Sequence, residues 1–391
     1  MNTIGGIIRR LRIQAGLSQQ QLAGPELTRA FICMVERGKA RPSMESLRLI
    51  AARLNQPVSA FLEADPSDAD RDLLEVLLRN TRSLKKAGNA RDAIDTLRQA
   101  FRVASERNLR EEQFETLGQL GTLLTGEGSY DEALDCFDRF LELARGSQLP
   151  ARIVQGYLHL GDTVYAMNQF LVARRYYDRA VCETNERKSL TDLRQRSLIS
   201  KGNCLIRLGA WRAAAEAHEE AGTLHPYLGD QQRYAFALMG LGVAYRRLGR
   251  LDEAKAATLE SHKILQKLGD RSRVLVLHNL ATIEGDQGQW QSALPKFEIC
   301  REAYRAFGWP VSEAALLEEM ALYRQAAGDL AQAEALCQEA LSLLEQQDEP
   351  LLRGRLLGIQ GKLRLACGDA QWGQELLQAG TCILRYFADG G

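Results

Sequence analysis

Between Leu17 and Ser43, LSQQQLAGPELTRAFICMVERGKARPS, apolar Phe31, Ile32 and Val35 recur at helical spacing and leave Arg29, Ala30, Cys33 and Arg37 on the opposite face. A row of guanidinium forks beside small side chains suits close approach to a surface rich in hydrogen-bond acceptors, because each fork holds two acceptors at once. No other residue type offers a competing site. The five histidines, at 159, 218, 225, 262 and 278, form no HExxH and no cluster. The eight cysteines, at 33, 136, 182, 204, 300, 337, 367 and 382, lack a CxxC pair and a close histidine, so metal-ligand spacing is absent. They are expected to be reduced and mostly packed. No GxGxxG follows a strand and no Walker lysine motif occurs. The reading is therefore not an enzyme, with no catalytic residue, no metal and no cofactor.

The elements that must hold the row in place are also legible. Ser18 can cap a first short helix, with Gln21 completing a capping box. Gly24-Pro25 ends it, and Thr28 caps a second helix running to about Arg37, stopped by Gly38 and then Pro42. Two short helices at a steep angle form a helix-turn-helix. Before it, a helix from about Thr3 to Gln14 turns Ile4, Ile8 and Leu11 inward and ends at Gly16. After it, Ser43 caps a fourth helix through Leu47, Ile50, Ala51 and Leu54, and Ser59 starts a short fifth with Phe61 and Leu62. A five-helix domain at 1–64, an acidic linker at 65–70 and a further domain at 71–391 are expected.

From Ile4 to Leu62 the segment resembles the DNA-binding domain of the lambda repressor/Cro type, the XRE family. The resemblance makes Thr28–Arg37 the recognition helix and places Gln19 where family members hold a backbone phosphate and brace a base contact. It puts Arg29 and Ala30 on positions that meet base edges, where arginine takes guanine O6 and N7 and an alanine methyl touches a thymine methyl. Thr28, Cys33 and Arg37 complete the face, and Lys39 and Arg41, in the turn beyond, suit phosphates. It also implies a partly buried ion pair between Arg12 and Glu36.

Composition fits a binding protein. The 391 residues, 45% hydrophobic and 26% charged, are ample for more than one structural unit. Net charge is zero but unevenly spread, since residues 1–64 hold nine Lys/Arg against four Asp/Glu. The basic end is thus the end expected to meet double-stranded DNA. No run of about eighteen apolar residues occurs and the N-terminus lacks an apolar signal core, so no membrane association and a cytoplasmic location are expected.

From Asp70 onward a repeat of about 40 residues emerges when small residues are aligned. Ala93, Ala133, Ala173, Ala214, Ala254, Ala293, Ala333 and Gly373 mark eight copies. Twelve residues before each marker stand Gly121, Gly161, Gly202, Gly242, Ala281, Ala321 and Gly361, with Thr81 as the exception in copy one. Tyr130, Phe170, Trp211 and Trp290, three before the marker, can wedge between paired helices. The pattern resembles the tetratricopeptide repeat, an antiparallel helix pair, here lengthened by about six residues, so the fold class is all-α: a helix-turn-helix domain followed by an α-solenoid.

That resemblance puts the first helix of each copy on the concave side. The side chains expected to face a groove are then Thr122, Asp162, Tyr165, Asn203, Arg207, Met239, Arg246, His278 and Asn279, a mixture suited to an extended peptide. Domain order and repeat length together resemble the RRNPP peptide-sensing regulators of Gram-positive bacteria. This implies a transcriptional regulator that binds a short signalling peptide or a partner protein in the groove and forms a homodimer through the repeats. The competing class is an adaptor acting through protein-protein contacts.

Overall fold

The computed structural model describes residues 4–40, 42–58, 61, 68–185, 187–225 and 229–388, which form twenty α-helices, a short 3-10 turn at Lys188–Leu190 and no strand. The chain divides into two compact parts, Met1–Phe140 and Leu141–Gly391, described separately below.

The first part opens with α1 (Ile4–Gln14), α2 (Gln19–Ala23), α3 (Arg29–Glu36) and α4 (Met44–Arg53). Each expected cap forms. Ser18 Oγ accepts from the Gln21 N–H at 3.2 Å while Gln21 Oε1 accepts from the Ser18 N–H at 2.8 Å, the reciprocal capping box. Thr28 Oγ1 accepts from Phe31 N–H at 3.1 Å, and Ser43 Oγ from Ser46 N–H at 3.1 Å. Ile4, Ile8, Ile32, Val35, Leu47 and Ile50 join Phe61 in one buried core, with Leu11 packed at its margin. Of the expected fifth helix, Ser59 and Leu62 lie outside the described residues. The expected linker is shorter than read, because its last residues already belong to α5 (Asp68–Lys86).

Two contacts in this domain have no counterpart in the sequence reading. Gly5 lies where α1 crosses α3, and a side chain there would run into the Val35 carbonyl. Arg53 reaches back about thirty residues to donate to Leu22 O (3.1 Å) and Ala23 O (2.5 Å), satisfying carbonyls at the end of α2. It also pairs with Glu26. The turn is thus closed by α4, and at Gly24 (φ 57°) a side chain would meet the Arg53 guanidinium.

The rest is a run of helix pairs. After α5 come α6 (Ala90–Glu106), α7 (Arg110–Gly126) and α8 (Tyr130–Gly146), inside which the division falls. The second part continues with α9 (Pro150–Ala166), α10 (Phe170–Glu183), α11 (Thr191–Arg207), α12 (Trp211–Thr223), α13 (Gln231–Arg247) and α14 (Leu251–Leu268). It ends with α15 (Arg273–Asp286), α16 (Trp290–Phe307), α17 (Pro310–Ala326), α18 (Leu330–Leu343), α19 (Pro350–Ala366) and α20 (Ala370–Ala388). These are the eight expected pairs, and all seven marker alanines are fully buried.

Within a pair, the small residue of the first helix faces the residue four places after the marker on the second. A Cβ at Gly121 would lie 2.5 Å from the Phe137 ring, at Gly161 2.6 Å from Tyr177, and at Gly202 2.5 Å from His218. Partner size alone does not set the small residue: Gly242 faces Thr258, where a Cβ would lie 2.3 Å from Oγ1, while Ala321 and Cys337, and Ala281 and Phe297, share one buried core. The fourth pair is unusual. His218 is 1% exposed, neither ring nitrogen has a hydrogen-bond partner, and a Cβ at Gly240 on α13 would also strike it. Burial pushes its pKa down to about 4.

Gly121→Ala should therefore destabilise the chain by about 1 to 3 kcal/mol through overpacking. Combined with Phe137→Leu it should cost less than the sum of the two single changes, as a urea-melt double-mutant cycle would read. His218 is neutral when folded and takes a proton once unfolded below its ordinary value near 6.5, so stability is complete above that pH and falls as pH drops toward about 4. His218→Leu should remove about one proton from the pH dependence of unfolding between those limits.

Candidate functional site

The outer face of α3 is set by a buried charge beneath it. Arg12 Nε donates to Glu36 Oε1 at 2.5 Å and Nη2 to Oε2 at 3.0 Å, while Arg12 Nη1 holds Leu17 O at 2.8 Å. The Glu36 side chain is only 3% exposed. Burial alone would raise its pKa, but hydrogen bonds from Arg12 and Gln19 and the Arg12 charge outweigh it and hold the carboxyl below its ordinary value. The bond to Glu36 in turn raises Arg12. The pair implied by resemblance is present, and it ties α1, α2 and α3 together, since Gln19 Nε2 also donates to Glu36 Oε2 at 2.8 Å. Gln19 is half-buried and its amide nitrogen is engaged inward.

With α3 fixed this way, Thr28, Arg29, Ala30, Arg37 and Lys39 are exposed, and among the described residues none of their side chains is taken by an ion pair. Arg41 lies outside the described residues. Cys33 recedes and is half-buried, whereas Met34, 45% exposed, stands one turn after Ala30 and one before Arg37. The outward row is therefore Arg29, Ala30, Met34 and Arg37, with Cys33 at its edge. Helical spacing alone carried the signal for Met34, which lies four residues after Ala30.

The second set, assigned to the inner face of the repeats, divides. Thr122 belongs to the first part and donates its hydroxyl to Gly118 O on its own helix at 2.7 Å. In the second part, Asp162 accepts from Tyr177 OH at 2.8 Å and from Arg196 Nη2 at 3.3 Å, and burial raises its pKa despite both. Tyr165 lies edge-on to Phe170 at 5.2 Å. Met239 is half-buried and packs against the core of Ala235, Leu265 and Val276. His278 shares a hydrogen bond with Tyr304 OH at 3.1 Å, and burial pushes its pKa down to about 4. Asn203 is exposed and Asn279 half-buried, and neither side-chain amide has a partner among the described residues.

The two arginines of this set are paired across repeats. Arg246 bonds Asp286 (Nε–Oδ2 2.5 Å) and both oxygens of Glu319 (3.2 Å each). Burial opposes its charge, but Glu319 and Asp286 together hold its pKa above the ordinary value. Arg207, at the end of α11, meets Glu349 before α19 at 3.5 Å, and its guanidinium lies over the Phe170 ring at 4.7 Å. Sequence spacing gave no sign of Glu318, Glu319, Glu349 or Arg355, because their partners lie one to four repeats away. Among the described residues no group of three or more His, Cys, Asp or Glu could hold a metal ion, and no helix is long and apolar enough to cross a membrane.

A helix-turn-helix family model matches residues 8–61, and tetratricopeptide-repeat models match residues 116–151 and 233–306. No curated protein matches the chain. Among solved structures, a Rap protein complexed with competence and sporulation factor is similar at a TM-score of 0.59 and 13% identity, covering 83% of this chain and 100% of the other. The apo form of RapI gives 0.58 and 15%, covering 71% and 100%. The Rap conjugation gene regulator of plasmid pLS20, in complex with the Phr* peptide, gives 0.56 and 14%, covering 83% and 97%. At these identities the likeness is one of fold.

Arg12→Ala would leave the Glu36 carboxylate buried without its main partner and should cost about 3 kcal/mol. Hydrogen exchange across residues 4–40 should quicken, and adding Glu36→Ala should restore part of the loss.

Proposed function

From an N-terminal helix-turn-helix domain of the XRE type followed by tetratricopeptide repeats, we propose that the chain is a sequence-specific transcriptional regulator whose repeats sense a short peptide. The observation that carries the first half is the outward row of α3, an arginine-flanked face with Ala30 and Met34 at its centre, on a segment carrying an excess of five positive charges. A helix of this width fits the major groove, where Arg29 and Arg37 suit paired acceptors on guanine and the apolar pair suits thymine methyls. Lys39 and Arg41 suit the backbone on either side, through charge alone.

The sensing half draws on two structures of similar fold, a Rap protein complexed with competence and sporulation factor and a Rap conjugation gene regulator in complex with the Phr* peptide. Here the free amides of Asn203 and Asn279 would bond a peptide backbone. The regulator acts in the cytoplasm as a homodimer, and a two-fold protein meets two half-sites roughly 34 Å apart, one turn of duplex. It performs no reaction on either ligand. A second reading, an adaptor that holds a partner protein, is favoured by the paired charges that already occupy the inner face; failure to bind DNA selectively would favour it.

The test is a gel shift against duplex selected by the wild-type protein. Arg29→Ala should cost about 1 to 3 kcal/mol and relax preference at one base position. Met34→Ala should relax a neighbouring position, whereas Lys39→Ala should weaken all sequences alike and flatten the salt dependence. Wild-type behaviour from all three would overturn the assignment.

A further inference from the structure

Four arginines on the first helices of residues 141–391 bear on an inner-face ligand, and they differ in how far each guanidinium is occupied. Arg246 uses Nε, Nη1 and Nη2 on Asp286 and Glu319. Arg355 uses Nε and Nη2 on the two oxygens of Glu318, at 2.7 and 2.8 Å. Arg196 takes Asp162 on the adjoining first helix at 3.3 Å. Arg207 alone pairs with a carboxylate four repeats away: its Nη2 stands 3.5 Å from both Glu349 Oε2 and Asn168 Oδ1, and the guanidinium also bonds the Tyr165 side chain.

The carboxylates differ in the same way. Glu318, Glu319 and Asp286 each engage both oxygens. Glu349, the residue that precedes Pro350 and the start of α19, comes no closer than 3.5 Å to its arginine, the longest closest approach of the set. Its hold is therefore the weakest on this face. Its partner is nonetheless firmly placed, because the Phe170 ring lies beneath the Arg207 guanidinium at 4.7 Å and fixes its plane. A fixed cation with a loosely held internal anion is the arrangement expected where a second anion exchanges with the first.

We propose that Glu349 stands in for a ligand carboxylate at Arg207, so that a peptide carrying a free carboxylate takes the guanidinium from Glu349 and opens the contact between the fourth and eighth repeats. This rests on the peptide-sensing reading and narrows its ligand class. The exchange needs no covalent step. One ion pair is replaced by another of the same charge, so the groove's net charge changes only by the ligand's own. The ligand binds the open arrangement and not the closed one, which is the differential affinity that a population shift requires. Arg246, also expected to face the groove, already spends four of its five N–H donors on two carboxylates, Asp286 and Glu319, and is less suited to this role.

The test uses the full chain, immobilised, and a pool of random seven-residue peptides lacking Asp and Glu, made once with a free C-terminal carboxylate and once amidated. Retained peptides are counted by mass spectrometry. The wild type should retain the free-acid pool over the amidated one, and Glu349→Gln, which removes the internal competitor, should raise free-acid retention about fivefold. Arg207→Gln should erase the preference while circular dichroism stays unchanged. Retention without preference for the free acid, or a preference unchanged by Glu349→Gln, would overturn the stand-in role and leave peptide sensing intact. Retention of neither pool by any variant would overturn both.

Discussion

The middle repeats of this chain, the second to the seventh, share one steric match: a glycine or alanine on the first helix, set against a second-helix side chain four places after a buried alanine. Gly121 with Phe137, Gly161 with Tyr177 and Gly202 with His218 leave less than 3 Å for a Cβ. Such closeness fixes the pair's crossing, because a methyl added on one side must displace a ring on the other. The helix pairs repeat because this match repeats. Once the match has spent the small residues on packing, the polar residues between them are free to pair across repeats, as Arg246 does with Asp286 and Glu319.

The N-terminal domain relies on a different device with the same effect. Glu36 is buried on α3 and held by Arg12 of α1 and Gln19 of α2, so three helices share one carboxylate. A lone buried charge is costly, which makes the three-way contact an all-or-none arrangement and gives α3 a single orientation. The exposed row of Arg29, Ala30, Met34 and Arg37 follows from that orientation. The exposure of this face thus follows from a charge held almost wholly beneath the surface.

Much of this was legible from residue spacing, and the gaps have a common cause. The caps at Ser18, Thr28 and Ser43, the buried alanine markers and the eight pairs all come from relations within a few residues, or from repetition that aligns itself. Arg53 closing the end of α2, Gly5 passing the Val35 carbonyl and Glu349 meeting Arg207 join residues far apart in sequence, and a single sequence carries no signal for them. Met34 was within reach, since it lies four residues after Ala30, but Cys33 occupied its place in the reading. Arg246, expected to face the groove, is neutralised by two carboxylates that lie one and two repeats on, a relation no local spacing reveals.

The central claim is that a face held by a buried ion pair reads DNA sequence. Its most direct measurement is selection of duplexes by the intact chain from a random library, followed by sequencing at two salt concentrations. The account predicts a single enriched motif with two related halves about one helical turn apart, retained at the higher salt while background binding falls. Enrichment of no motif, with all binding lost together as salt rises, would contradict it.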